Sequence, residues 1–318
     1  MRMRAYLSLA LLSIAVTAAM ACAPRYVTSK AMELAGMASP AAGVTRNVVL
    51  VSIDGLRPDA INHFKASTLQ RLIREGSSSM TARTIMPSTT LPSHTSMLTG
   101  EPPDEHGVFW NNVQTAEREH VGVSTVFGVA RKAGYRTAAF FSKAKFGALQ
   151  QPGTLDYSQA PGGWWGRWPS TRTVADVRTH LQTEKPNLLF VHLSDPDRAG
   201  HSSGWMSAEY GRAVIDADLA VKNLMQAADT AYGAGNYSLL VTADHGGHGY
   251  GHGSSTLEDV TIPWIAWGRG VTAGVIDEKI DTFDTAPTVL WLLGVDQPDA
   301  WDGDAIVEAF APVAAATD

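Results

Sequence analysis

Three stretches of the chain, NVVLVSI at 47–53, NLLFVHL at 187–193 and YSLLVTA at 237–243, are apolar without polar alternation. A strand with one face in water alternates polar and apolar residues, so uninterrupted runs belong to strands covered on both faces. Amphipathic stretches lie between them: STLQRLIREG with its glycine stop, VSTVFGVARKAGY, VADVRTHLQTE and the long SAEYGRAVIDADLAVKNLMQAADTAYG. RTAAFF and TIPWIAWG read as further strands, and DTAPTVLWLLG as a late helix. The predicted fold class is α/β, a mostly parallel central sheet sandwiched by helices.

Acidic residues follow each of the three runs. Asp54 comes after the first, Asp195 and Asp197 after the second, and Asp244 with His245 after the third. Ligands of open α/β sheets gather beyond the carboxyl ends of the strands, so three strands deliver these side chains to one edge. Carboxylates brought together in a partly buried site repel one another unless a cation compensates them. Asp54 in SIDGLRPD, Asp197 and His201 in PDRAGH, Asp244 and His245 in ADHGG, and His252 in GHG supply three carboxylates and three imidazoles. That mixed oxygen and nitrogen set suits divalent metal, zinc first, with manganese or another first-row ion as the alternative. Singly, each element has a plainer reading: an aspartate at a strand end caps a helix or makes a turn, and PDRAGH is itself a plausible turn. Their joint placement favours the metal. In TADHGGHGYGHG, 242–253, the glycines let the chain turn back so that His252 reaches the site, and His248 is left at its rim.

A nucleophile is offered by IMPSTTLPSHTSMLTG, 85–100. Thr89 and Thr90 sit among prolines before a run that can begin a helix, where free N–H groups and the helix dipole favour a phosphate and an ionised hydroxyl. The competing reading is a capping box with unreactive threonines. Lys143 and Lys145 follow the strand RTAAFF at the same edge and are candidates for contact with an anionic substrate, against the alternative of solvated loop lysines. His94, His106, His120, His180 and His192 read as structural or surface residues.

The 318 residues, 45% hydrophobic and 18% charged, are those of a globular protein. Arg2 and Arg4, the apolar LSLALLSIAVTAAM and the small residues around Cys22 form an export signal too short to span a bilayer. Two readings stand for the only cysteine, Cys22: lipid attachment, or plain cleavage after Ala19-Met20-Ala21. The net charge of -6, more negative still without Arg2 and Arg4, argues against a protein that coats nucleic acid. Residues 23–45, rich in Ala, Met, Gly and Pro, read as a linker or frayed arm.

The ordered series SIDGLRPD, PSTTLPSHTSMLTG, HGVFWNN, PDRAGH, ADHG and GHG resembles the alkaline phosphatase superfamily, in its type I phosphodiesterase and nucleotide pyrophosphatase branch. The resemblance runs from about Asn47 to the closing WDGDAIVEAF and implies an alkaline phosphatase-like fold. The parse is then a signal peptide at 1–21, a linker at 22–45 and a single catalytic domain at 46–318. The resemblance further implies a two-metal phosphoric ester hydrolase working through a phosphothreonine on Thr90. Asp54, Thr90, Asp244 and His245 would hold one ion, and Asp197, His201 and His252 the other. Asn111 would bind a nonbridging phosphate oxygen, which favours a diester over a monoester substrate. The chain departs from nucleotide-cleaving relatives at Leu91, where they commonly place an aromatic residue that stacks on a base. Trp164, Trp165 and Trp168 in GGWWGRWP offer another stacking wall, against the plainer reading of a tryptophan-pinned loop. The alternatives are a phosphomonoesterase on the same metals and a noncatalytic metal- or phosphate-binding lipoprotein. The expected partner is a small phosphate ester, the expected location is outside the cytoplasm, and membrane contact is expected only through a lipid on Cys22.

Overall fold

A computed structural model describes residues 43–112, 120–163 and 166–310. The export signal, Cys22, most of the expected linker, Trp164 and Trp165 lie outside the described residues. The end of that linker packs against the fold: Val44 and Thr45 donate backbone hydrogen bonds to Leu292 O at 2.8 and 3.0 Å.

One eight-stranded sheet organises the chain. Its strands are β1 (Val48–Ile53), β2 (Ser77–Arg83), β3 (Thr137–Phe140), β4 (Tyr157–Gln159), β5 (Leu188–Leu193), β6 (Ser238–Thr242), β7 (Thr261–Gly268) and β8 (Gly274–Val275), in the order β4-β3-β5-β1-β6-β7-β2-β8. The contiguous set β4-β3-β5-β1-β6 is parallel, and β7 turns antiparallel to both β6 and β2. The three apolar runs are thus three neighbouring strands, β5, β1 and β6. Every residue of each is buried, as their lack of alternation requires. β2, with the sequence SSSMTAR, carries no such signal, and its place follows from pairing with β7.

Helices flank the sheet in two groups. The longest, α8 (Ala208–Tyr232), packs on α1 (Pro58–His63), α2 (Ser67–Glu75), α6 (Ser170–Thr183) and α7 (Asp195–Ser203). Its buried stripe of Tyr210, Val214, Ala217, Val221, Leu224 and Ala228 has helical spacing, and Ser207 Oγ caps its start by accepting from Tyr210 N. In the other group, α10 (Thr285–Leu293) packs on α3 (Thr90–Thr99) and α5 (Val126–Lys132). Short helices α4 (Pro103–His106) and α9 (Leu257–Val260) complete the α-helices of the described residues. Helix α7 corrects the reading of PDRAGH as a turn: Pro196 stands in its first turn, where a missing N–H does no harm. Among the described residues no helix is long and apolar enough to cross a membrane.

Candidate active site

The parallel strands β3, β5, β1 and β6 end side by side, and each releases a charged residue at its carboxyl end. Asp54 leaves β1, Asp197 lies in the first turn of α7 after β5, Asp244 follows β6 and Lys143 follows β3. The ends of β1 and β5 are stitched together, since Asp54 N donates to Leu193 O and Asp197 N to Asp54 O at 2.9 and 3.0 Å. Gly55 makes this approach possible: its φ is +73°, and a Cβ there would lie 2.9 Å from the Asp197 Cα.

Each of the three aspartates has one oxygen held by the protein. Asp54 Oδ2 faces Lys143 Nζ at 2.6 Å and accepts from His192 Nε2 at 2.9 Å. Asp197 Oδ2 accepts from Lys143 Nζ at 2.6 Å. Asp244 Oδ1 accepts from the backbone N–H groups of Gly55 and His245 at 3.1 and 3.0 Å. The other oxygens, Asp54 Oδ1, Asp197 Oδ1 and Asp244 Oδ2, are buried without a hydrogen-bond partner, and so is His245 Nε2. Groups of this kind are rarely left unsatisfied, and these four belong to one cluster.

Backbone carbonyls set the histidine tautomers. His245 Nδ1 meets Gly246 O at 2.8 Å, His252 Nδ1 meets Ser88 O at 2.8 Å, and His201 Nδ1 meets Tyr250 O at 3.0 Å. A carbonyl only accepts, so in each neutral ring Nδ1 carries the hydrogen and Nε2 presents a lone pair. These lone pairs face oxygens that cannot donate: His245 Nε2 stands 3.5 Å from Asp54 Oδ1 and 3.3 Å from Asp244 Oδ2. His201 Nε2 and His252 Nε2 stand 3.2 and 3.5 Å from Asp197 Oδ1 and 3.1 Å from each other. Lone pairs arranged in this way require a cation between them. Burial and neighbouring His252 push the His245 pKa down to about 3, so a proton does not serve there at neutral pH. Asp197 raises the pKa of His201, where proton and metal compete for one lone pair. Burial and the charge of Asp54 push Asp244 well above the ordinary carboxylate range, a shift that a divalent cation would reverse.

Two groups therefore fit a metal ion: Asp54, Asp244 and His245, and Asp197, His245 and His252. The first matches the set expected from sequence apart from Thr90. The second brings in His245 beside Asp197 and His252, with His201 adjoining. The His245 and His252 rings stack with centroids 3.6 Å apart, which places His245 at the join of the two groups.

The loop that carries His252 is packed rather than loose. Gly246 N and Gly247 N donate to Asp259 O and Glu258 O at 2.8 and 2.7 Å, and His248 and Gly251 exchange two backbone hydrogen bonds. A Cβ on Gly247 would come within 2.2 Å of the Trp205 ring, so this glycine serves close approach. His248 stands at the rim as expected, half-exposed, with Nδ1 2.7 Å from Asp259 Oδ1.

Thr90 is the first residue of α3, and the whole helix is buried. Its polar residues are satisfied internally: Thr95 and Thr99 donate to the carbonyls four residues back, and Ser93 donates to Asp244 O at 2.7 Å. Thr89 makes no side-chain cap, which removes the capping-box reading. Thr90 Oγ lies 3.5 Å from Lys143 Nζ. Leu91 N donates to Asn111 Oδ1 at 3.0 Å, and Lys145 Nζ donates to the same oxygen at 2.9 Å. The structure thus brings Asp54, Thr90, Asn111, Lys143, Lys145, Asp197, His201, Asp244, His245 and His252 to one edge. Leu91 is buried and presents no stacking face. Trp168, the described member of the tryptophan stretch, lies under the Arg172 guanidinium at 4.6 Å.

Two site histidines were read from sequence as structural or surface residues. His192, inside the apolar run of β5, touches Asp54; His94 links Thr90 O at 2.7 Å to Ser52 Oγ at 2.8 Å. A polar residue within a wholly buried strand was the available signal for His192.

The sequence profile of the type I phosphodiesterase / nucleotide pyrophosphatase family matches residues 48–258, more than half of the chain. The chain belongs to this family. Among curated proteins it is similar to mouse ectonucleotide pyrophosphatase/phosphodiesterase family member 3, with 24% identity over 63% of this chain and 24% of that protein. It is also similar to the 2,3-bisphosphoglycerate-independent phosphoglycerate mutase of Haloquadratum walsbyi, 28% identical over 50% of this chain and 31% of that enzyme. The chain spans less than a third of the length of either of these curated relatives. In fold it resembles inactive murine ectonucleotide pyrophosphatase / phosphodiesterase 5 in complex with AMP. The TM-score is 0.71, over 83% of this chain and 100% of that chain at 14% identity. The alkaline phosphatase-like architecture expected from sequence is therefore the observed one.

Proposed function

We propose that the protein is an exported two-metal phosphoric ester hydrolase, a phosphodiesterase or nucleotide pyrophosphatase that works through a phosphothreonine on Thr90. One observation carries the reading: a buried threonine hydroxyl at the N-terminus of a ten-residue helix contacts Lys143, which pairs with an aspartate of each of two groups of candidate ligand atoms, four of them buried and unpartnered. Asp54, Asp244, His245, Asp197, His252 and the adjoining His201 would hold two divalent ions, zinc by their mixed oxygen and nitrogen donors. Bound there, the ions would supply Lewis acidity to the phosphoryl oxygens and ease ionisation of the threonine hydroxyl.

The remaining chemistry belongs to the chain. Thr90 loses its proton to solvent, and its Oγ attacks phosphorus as the bond to the ester oxygen breaks; the leaving oxygen departs as phosphate, or as an alkoxide that takes a proton from solvent. Water then cleaves the phosphothreonine and restores the hydroxyl. Asn111 accepts two hydrogen bonds on Oδ1, which fixes its amide and leaves the Nδ2 hydrogens for a nonbridging phosphate oxygen. Family membership, and the AMP named with a structural neighbour, favour a nucleotide ester as substrate. A second reading, a phosphomonoesterase, draws on Lys145: a cation against Asn111 suits a third anionic oxygen. The export signal assigns the enzyme to the periplasm or cell exterior, free or anchored through a lipid on Cys22.

The test is turnover of bis-p-nitrophenyl phosphate and p-nitrophenyl phosphate by the purified protein, with chelator and after zinc is restored. Zinc-dependent preference for the diester is expected. Preference for the monoester would transfer the assignment to the second reading, and no restorable turnover of either would refute an esterase. Thr90→Ala is expected to abolish turnover with both metals retained.

A further inference from the structure

We propose that Lys143 is a resident cation of the site, bridging one aspartate of each metal-binding group and giving a hydrogen bond to the attacking oxygen of Thr90. The proposal rests on Thr90 being the nucleophile and goes beyond it. An ammonium has three N–H donors. Lys143 Nζ donates to Asp197 Oδ2 at 2.6 Å and to Thr90 Oγ at 3.5 Å and forms an ion pair with Asp54 Oδ2 at 2.6 Å, so three protein oxygens surround it. The side chain is only 3% exposed, which keeps it from a substrate in the open site. Lys143 therefore acts on the site itself, and Lys145 is the lysine with access to a ligand.

Geometry explains why the bridge matters. The inner oxygens Asp54 Oδ1 and Asp197 Oδ1 are the buried, unpartnered atoms, and the outer ones are tied to a single nitrogen. Fixing the outer oxygens turns the inner ones toward the metal positions and sets the spacing between the groups. The same charge stands beside the oxygen on which negative charge grows when Thr90 ionises. The ammonium is a compact point charge with three rotatable donors, which suits three oxygens that converge on one nitrogen from three elements.

The experiment uses the full chain with Lys143→Met, Lys143→Gln and Lys143→Ala, their zinc content measured before each assay. At full zinc occupancy kcat is expected to fall about 100-fold or more while KM changes little. Millimolar ethylammonium should restore part of the Lys143→Ala rate without affecting wild type. Turnover within about threefold of wild type at full occupancy, or a loss carried by KM alone, would overturn the proposal. An independent reading comes from thermal melting. Loss of the bridge should lower Tm more in chelator than with zinc bound, because in chelator the variant leaves Asp54 and Asp197 with neither lysine nor metal, whereas with zinc bound each keeps a cation. An equal drop in both conditions would overturn the bridge. Wild-type protein that turns over no phosphate ester would refute the hydrolase reading, and the melting comparison would still decide the bridge. Lys143→Gln, which keeps two hydrogens for the two aspartates, provides the comparison if Lys143→Met does not fold.

Discussion

His192 donates from Nε2 to Asp54 Oδ2 across 2.9 Å, and Ser142 Oγ holds its other ring nitrogen at 2.7 Å. Ser142 N also approaches Nδ1, at 3.4 Å, so the tautomer that donates to Asp54 is fixed from two sides. Burial pushes the His192 pKa down and keeps the ring neutral. His192→Ala should weaken zinc binding by about 10- to 100-fold, the usual effect of removing the partner of a ligand. Competition against a chromophoric chelator measures it; unchanged affinity would mean that Asp54 needs no such support.

Gly55→Ala should destabilise the protein by about 2 kcal/mol or more, because a left-handed φ is combined with contact against the Asp197 backbone. Urea unfolding measures the loss. Zinc affinity should fall with it, since Asp197 must shift to admit the methyl group.

Asp259 is fully buried and accepts from His248 Nδ1, Ser254 N and Ser254 Oγ at 2.7, 2.9 and 2.8 Å. These bonds pin both ends of the turn that carries His252. Asp259→Ala should cost about 1–3 kcal/mol of stability and weaken zinc binding. His248→Ala, at a half-exposed side chain, should cost about 1 kcal/mol or less. Calorimetric melting of both variants tests the ranking, and an equal loss would contradict it.

Burial and the charge of Lys143 bring the Lys145 pKa down to about 8. Its positive charge is therefore present at neutral pH and lost as the pH rises through about 8. KM for p-nitrophenyl phosphate should rise across that interval. Lys145→Met should raise KM at pH 7 and flatten the rise; a KM profile unchanged by the substitution would remove Lys145 from substrate binding.

Burial, with Glu105 and Asp302 nearby, raises the Glu101 pKa from an ordinary 4.5 to about 7. The folded state then holds a proton that the unfolded chain has released, so this group's contribution to stability falls as the pH rises from about 4.5 to about 7. Glu101→Gln should melt above wild type at pH 8, with the gap closing toward pH 4.5. A gap independent of pH would place the effect in packing instead.

How much could be read from the chain alone follows from how each feature is encoded. The strands β1, β5 and β6 announce themselves because burial on both faces removes polar alternation. The candidate ligands stand out because polar residues collect where those strands end, and Thr90 because it sits among prolines at the start of a helix. That much is local, and the sequence by itself determined it: the fold class, the edge that carries the chemistry and the residue types available there. β2 was not legible, since SSSMTAR becomes a strand by pairing with β7 and β8. Nor was the work of His192, which lies 138 positions from Asp54. Strand order decides such partnerships, because only the folded sheet sets β5 beside β1 and β3 beside β5. The same holds for Lys143: its spacing suggests a lysine at the reactive edge, and only tertiary structure brings its nitrogen between two aspartates and Thr90. Hydrophobic periodicity reports which face of an element is covered; it carries no record of which distant side chain will lie across from it.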